Sequence, residues 1–325
     1  MTVIVHESDA DLDALRGQRL AVVGYGNQGR PWALNLRDGG LDVTVCVRAD
    51  ATRERAIADG FEAADLDGAS SADVVCVLVP DDAIPDLPLE PRADALVIVA
   101  SGYTLAFDRF DPDCDLGMVA PRMLGPEVRR CFEEGTGFIT AFGVHRDATG
   151  HARERVLAVA KAIGGLRQGA IEMTARQEAV LDLAVEQALS PALRKISESF
   201  VGVMLEHGIP LEAILTELFL SGEVERTYRL LRTEGYAAQM EHHSPVSQYG
   251  QLSRTPEYED LDVLPRMQRI VEGIASGRFA DEWDAERAAG FATFERLKGA
   301  AAGPDIAAFE QELRAQLGEG AISRG

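Results

Sequence analysis

Two groups of residues in this 325-residue chain combine type and spacing in a way that permits chemistry. The first is Gly24-Tyr25-Gly26-Asn27-Gln28-Gly29, a complete G-x-G-x-x-G. It directly follows the apolar run at residues 20–23 and precedes the helix-competent stretch 32–36. In that context each glycine serves a separate purpose. Gly24 permits a tight turn, Gly26 lets the backbone approach a pyrophosphate, and Gly29 lets the following helix pack on the strand. The free N–H groups and partial positive charge at the start of that helix then face the phosphates. The next apolar run, 43–47, ends at Arg48, with Thr52 and Arg53 close behind. An acid at this strand tip suits a ribose 2′-hydroxyl and an arginine suits a 2′-phosphate, so the pattern favours NADPH. Asp50 pulls the other way and leaves NADH open.

The second group is acidic. Asp182 and Glu186 are four residues apart, which puts both carboxylates on one helix face, and Glu178 extends the stripe backwards. Paired carboxylates are a common way to hold Mg²⁺, although an acidic solvated face has the same spacing. Glu217, Glu223 and Glu225 form a second cluster that is no more specific by itself. His242-His243 reads as a loop pair without a metal role, because adjacent side chains point to different sides of most backbones.

The elements that must position these groups fall into two regions. Strand-like runs at 20–23, 43–47, 74–79, 95–100, 116–119 and 138–144 alternate with helical stretches, the pattern of βαβ units and a mainly parallel sheet. Beyond Ile171 the periodicity is helical, with segments at 175–188, 191–208 and 211–222 and a helical tail over 263–317 broken at Ser276-Gly277. The expected architecture is an α/β Rossmann-type domain over 1–171 followed by an all-α domain over 172–325. Acids outnumber bases 53 to 32, a formal charge of −21, which argues against nucleic acid or an anionic membrane surface as a partner. No apolar run approaches the roughly 18 residues of a membrane helix. The dispersed cysteines Cys46, Cys76, Cys114 and Cys131 read as buried thiols in a reducing, cytoplasmic compartment.

Taken together, these features resemble the ketol-acid reductoisomerase (acetohydroxy-acid isomeroreductase) family in its short form. The resemblance runs through Gly24–Gly29 with Ala33-Leu34-Asn35-Leu36, Leu78-Val79-Pro80-Asp81, Ala120-Pro121-Arg122 with Gly125, and Ala160-Lys161-Ala162-Ile163-Gly164-Gly165. It continues in Asp182-Leu183-Ala184-Val185-Glu186-Gln187, Ser244 with Tyr249-Gly250, and Ser276-Gly277-Arg278-Phe279-Ala280-Asp281-Glu282-Trp283. It implies a knotted helical C-terminal domain, a homodimer, NADPH held in part at Pro80, one or two Mg²⁺ ions and a small-molecule substrate. By the same carry-over Asp182 and Glu186 bind metal, Glu223 helps hold the second metal and the substrate, and Ser244 contacts the substrate.

This chain also departs from the family pattern. Ser101 stands where the family has histidine and Arg122 where it has lysine, and a glutamate expected one helical turn before Glu223 falls on Phe219. Loss of a carboxylate at Phe219 would weaken a second Mg²⁺ site and with it the alkyl-migration half of the family reaction. The leading expectation is therefore an NAD(P)H-dependent reductase of a small 2-oxo or 2-imino acid. In it Glu223, or a water held by Asp182 and Glu186, supplies the proton, Arg122 holds a carboxylate, and Ser101 and Ser244 line the site. The alternatives are a genuine Mg²⁺-dependent reductoisomerase, completed by Glu217 or Glu225, and a catalytically silent cofactor-binding regulator.

Overall fold

The computed structural model describes residues 2–301 and 304–317. The chain divides into two compact units, Met1–Leu183 with Ile274–Ala280, and Ala184–Gly273 with Asp281–Gly325.

The first unit is a nine-stranded sheet flanked by helices. Its strands are β1 (Ile4–Val5), β2 (Arg19–Val23), β3 (Asp42–Cys46), β4 (Glu62–Ala64), β5 (Val74–Val77), β6 (Leu96–Val99), β7 (Asp115–Pro121), β8 (Thr140–Arg146) and β9 (Ala170–Glu172). They lie in the order β1-β9-β8-β7-β6-β5-β2-β3-β4. Strands β4 to β7, with β2 and β3, pair in parallel, while β7–β8 and β1–β9 are antiparallel. Every residue of β5 (Val-Val-Cys-Val) and β6 (Leu-Val-Ile-Val) is buried, as parallel strands covered on both faces require. The helices of this unit are α1 (Gly29–Asp38), α2 (Ala51–Ala58), α3 (Tyr103–Ala106), α4 (Gly125–Glu133), α5 (Ala152–Ala162) and α6 (Ala175–Ala184). All four cysteines are buried free thiols, and burial raises those of Cys46, Cys76 and Cys114.

Chain order puts the loops that matter on one edge. Strands β2, β5, β6 and β7 run parallel, so Gly24, Pro80, Ser101 and Arg122 all emerge at their carboxyl ends. That edge is where open α/β sheets take their ligands.

The second unit is all-helical among its described residues. It holds a π-helical turn Val185–Leu189, α7 (Ser190–Glu206), α8 (Leu211–Leu215), a second π turn Thr216–Leu220 and α9 (Glu223–Glu234). Then follow α10 (Tyr236–Met240), α11 (Pro245–Arg254), α12 (Leu264–Ala275) and α13 (Arg278–Ala288), whose facing ends fall in Ile274–Ala280 of the first unit, and α14 (Ala292–Ala301) and α15 (Pro304–Leu317). The tail breaks at Gly277, whose φ of 85° ends α12, as the Ser276-Gly277 pair predicts. No described helix is long and apolar enough to cross a membrane.

Candidate functional site

The glycine loop is built as the motif requires. Gly24 has φ 95°, and a β-carbon there would lie 2.6 Å from the Leu78 carbonyl oxygen. At Gly29 a β-carbon would lie 2.2 Å from the Gly24 carbonyl oxygen, so only glycine lets α1 start this close to β2. At Gly26 it would meet nothing within 4 Å. The Gly26 backbone thus borders open space, part of a cavity of about 330 Å³ lined also by Asn27, Gln28, Pro80, Asp81 and Ser101. A cradle left open at the second glycine and closed at the first and third has the form of a pyrophosphate site.

Tyr25 belongs to the scaffold through its side chain. It is buried, its hydroxyl donates to Asp59 Oδ2 at 2.8 Å, and Arg30 pairs with the same carboxylate at 2.8 Å. Burial and the Asp59 carboxylate push the Tyr25 phenol well above its ordinary range. At the tip of β3 the three candidate donors differ. Arg53 is engaged, donating to the Val47 carbonyl at 2.6 Å and to Asp65. Asp50 caps α2 by accepting from the Thr52 amide at 2.8 Å, and that bond holds its carboxyl below the usual range. Arg48 is 81% exposed, with Asp50 at 3.7 Å as its ion-pair partner.

The loops after β5, β6 and β7 meet α6 in a charged network. The Arg122 guanidinium donates through Nη1 to Glu178 Oε1 at 2.6 Å and through Nη2 to Asp182 Oδ1 at 2.7 Å. Glu178 is buried, and its second oxygen accepts from the Gly102 amide at 2.7 Å. Gly102 must be glycine, because a β-carbon there would sit 2.2 Å from the Ala175 carbonyl oxygen. Burial drives the Glu178 carboxyl upward against the opposing pull of Gly102 and Arg122. Asp81, hydrogen-bonded to Ser101, is pushed up to about 6 by burial and by the charges of Glu178, Asp82 and Asp182. Gly125, at the start of α4, packs so tightly on the glycine loop that a β-carbon would be 1.6 Å from the Asn27 carbonyl oxygen.

This network brings together Arg122, Ser101 and Asp182 of the candidate residues with Glu178 of the acidic stripe and Asp81, and adds Gly102. The long-range pairings have no signature in sequence. Arg122, expected to hold a substrate carboxylate, donates here to two carboxylates of its own chain.

In the second unit, Glu186 is the second residue of the π turn Val185–Leu189, and Glu217 is the second residue of the π turn Thr216–Leu220. Phe219 and Glu223 are not on one helix. The first helix closes with the Ser221 amide on the Thr216 carbonyl at 2.8 Å, Gly222 takes φ 76°, and α9 begins afresh at Glu223. The single continuous helical turn expected between Phe219 and Glu223 is therefore interrupted at Ser221-Gly222. The signal was legible as Ser221-Gly222, a C-terminal stop followed by an acidic first turn. Ser244 is the N-cap of α11, accepting from the Ser247 amide at 3.3 Å. His242 and His243 engage different partners, Glu234 and Gln239. Among the described residues, no three His, Cys, Asp or Glu side chains converge as a metal cage. The donors at hand are carboxylate oxygens, which suit a Mg²⁺ ion that keeps most of its water and takes only one or two carboxylates.

The sequence of residues 14–169 matches the family described as acetohydroxy acid isomeroreductase, NADPH-binding domain. Residues 176–319 match ketol-acid reductoisomerase, C-terminal domain. The chain belongs to the ketol-acid reductoisomerase family. Among members of this family it is 38% identical over 317 residues to "Putative ketol-acid reductoisomerase 3" of Saccharolobus solfataricus, covering 94% of this chain and 95% of that protein. It is 37% identical over 306 residues to "Ketol-acid reductoisomerase (NADP(+))" of Caldivirga maquilingensis, covering 91% and 93% of the two chains. A solved structure of an NADH-preferring ketol-acid reductoisomerase from an uncultured archaeon superposes with a TM-score of 0.89 at 28% identity, over 99% of this chain and 100% of that one. The reductoisomerase fold accounts for the Rossmann-like first unit and the helical second one, and the chain is an oxidoreductase of this family.

Proposed function

We propose that the protein is a genuine Mg²⁺- and NAD(P)H-dependent ketol-acid reductoisomerase, moving an alkyl group in a 2-acetohydroxy acid and reducing the resulting 2-keto group. One observation carries this reading over a simple 2-oxo or 2-imino acid reductase: the helix break at Gly222 removes the reason to regard the second set of acids as incomplete. Glu217 then becomes the natural partner of Glu223, in a π turn like the one that carries Glu186. Such turns gather at functional sites because the extra residue re-aims side chains. The names of relatives 37% and 38% identical over nine-tenths of the chain support the same choice.

In this reading Gly24 to Gly29 hold the dinucleotide pyrophosphate, with Pro80 beside it, and Arg48 takes a 2′-phosphate, favouring NADPH over NADH. Asp182 in the first unit, and Glu186, Glu217 and Glu223 in the second, are each carboxylates of the kind that ligates Mg²⁺, which when bound polarises substrate oxygens as a Lewis acid. Ser101 Oγ and the Asp81 carboxyl hold a proton at the mouth of the cofactor cradle, and Ser244 contacts the substrate. A homodimer accompanies the reading. No residue of the 17-residue helix α7 is buried, although Leu193, Ile196, Phe200 and Val203 lie along it, and a second copy of the chain is the expected cover.

The test is oxidation of NADPH by the purified protein with 2-acetolactate, with and without Mg²⁺. The expected result is turnover that requires Mg²⁺ and falls at least about 10²-fold in Glu217→Ala, the scale of removing a group that acts in the transition state. Turnover only of simple 2-oxo or cyclic imino acids, indifferent to Mg²⁺ and to Glu217, would establish the reductase reading instead.

A further inference from the structure

Arg122 leaves β7 directly, and its backbone N–H is fixed on the Ile139 carbonyl oxygen at 2.9 Å. Its planar fork spans two carboxylates of α6 that differ in character. Glu178 is the anchor: its side chain is 3% exposed, it also accepts from the Gly102 amide, and a buried carboxylate stripped of its cation would be costly. Asp182 is the exposed end, with its side chain 48% accessible and its Oδ1 on the guanidinium Nη2. The two bonds are therefore unequal, and the one to Asp182 is the cheaper to break.

We propose that Arg122 is the resident counter-cation of Asp182: it occupies the carboxylate that a divalent cation would take, and metal uptake proceeds by exchanging the Arg122–Asp182 bond while Arg122 stays tethered to Glu178. This rests on the reading above that Asp182 is a metal ligand. An arginine can do this because its guanidinium presents separate N–H donors to two acceptors at once, whereas a lysine ammonium is a single point charge on a flexible stem. With lysine at this position the buried Glu178 claims the ammonium and Asp182 is released. The arrangement keeps Asp182 neutralised before metal arrives and sets metal affinity below what the bare carboxylates would give. A displaced but tethered guanidinium remains close enough to repel the incoming ion.

The experiment is titration of the full-length protein with Mn²⁺, with free Mn²⁺ read from its electron paramagnetic resonance signal. The proteins compared are the parent, Arg122→Lys, Arg122→Gln and Asp182→Asn. Arg122→Lys and Arg122→Gln are expected to bind Mn²⁺ about fivefold more tightly than the parent, about 1 kcal/mol at 1.4 kcal/mol per tenfold. Asp182→Asn is expected to bind more weakly. Loss of a structural residue would loosen binding, so the direction of the change separates the two explanations. Arg122→Gln leaves Glu178 without its cation; where that variant does not fold, Arg122→Lys carries the test. Tightening in Arg122→Gln with no change in Arg122→Lys would reduce the effect to net charge and overturn the exchange. Parent-like binding in both Arg122 variants, with loss in Asp182→Asn, would overturn the counter-cation role and leave the metal ligand standing. Parent-like binding in Asp182→Asn would overturn the ligand assignment itself.

Discussion

Replacement of Gly26 and Gly29 by alanine separates binding from folding within four residues of chain. At Gly26 the new methyl meets no protein atom within 4 Å and the backbone is not left-handed. Folding is expected to be unchanged or improved by about 0.4–1 kcal/mol, because alanine restricts the unfolded chain. That is a rise of no more than about 4 °C in melting temperature for a domain of this size. The same methyl enters the space in which a pyrophosphate would contact the Gly26 backbone. An ångström-scale misplacement of a bound group costs about 10²-fold, so NADPH affinity should fall by that factor, about 2.7 kcal/mol. Gly29→Ala behaves oppositely. Its methyl would lie 2.2 Å from the Gly24 carbonyl oxygen, so α1 or the loop must move by most of an ångström. Overpacking of this kind costs about 1–3 kcal/mol and lowers the melting temperature by several degrees. Fluorescence titration with NADPH and thermal melting of both variants supply the readouts. NADPH binding within about twofold of the parent in a well-folded Gly26→Ala protein would refute the assignment of the loop to phosphate.

Two further outcomes follow from the same site. The Asp81 carboxyl is raised on folding from 3.8 to about 6, so folding favours its protonated form and stability declines as pH rises through that window. Asp81→Asn should remove the decline and exceed the parent above pH ~6 by roughly 3 kcal/mol in melting or denaturant titrations; parallel pH profiles for the two proteins would contradict this. Arg48→Ala should weaken NADPH by about tenfold while changing NADH by less than about threefold, measured as the ratio of initial rates or dissociation constants. Equal losses with both cofactors would show that Arg48 does not read the 2′-phosphate.

How far the sequence reveals the molecule depends on the range over which each signal acts. The runs at 74–77 and 96–99 are continuous and apolar, so burial on both faces and parallel pairing are written into four residues at a time. The glycine loop is equally local, each glycine answering to an atom close in the fold. By contrast β1, β4 and β9 are two or three residues long and exist through their partners: Ile4 opposite Ile171, Thr44 beside Glu62 and Thr140 beside Ala170. Nothing in Glu62-Ala63-Ala64 favours a strand by composition. The charged network joins residues 56 and 60 positions apart and so escapes any pattern in the chain. The π turns have no clear residue signature. The Gly222 break is visible as punctuation, and it separates Phe219 and Glu223 onto different helices where a continuous turn is expected.

The activity proposed for this chain is migration as well as reduction. It is tested most directly by product analysis with 2-acetolactate, NADPH and Mg²⁺, using ¹³C in the methyl group on C2. Migration carries that methyl to the neighbouring carbonyl carbon before hydride arrives, giving 2,3-dihydroxy-3-methylbutanoate with the labelled methyl beside a second methyl on the same carbon. That product, seen by NMR, is the expected result. A label retained on the carboxylate-bearing carbon, in 2,3-dihydroxy-2-methylbutanoate, would mean reduction without migration and would rule out the proposed activity.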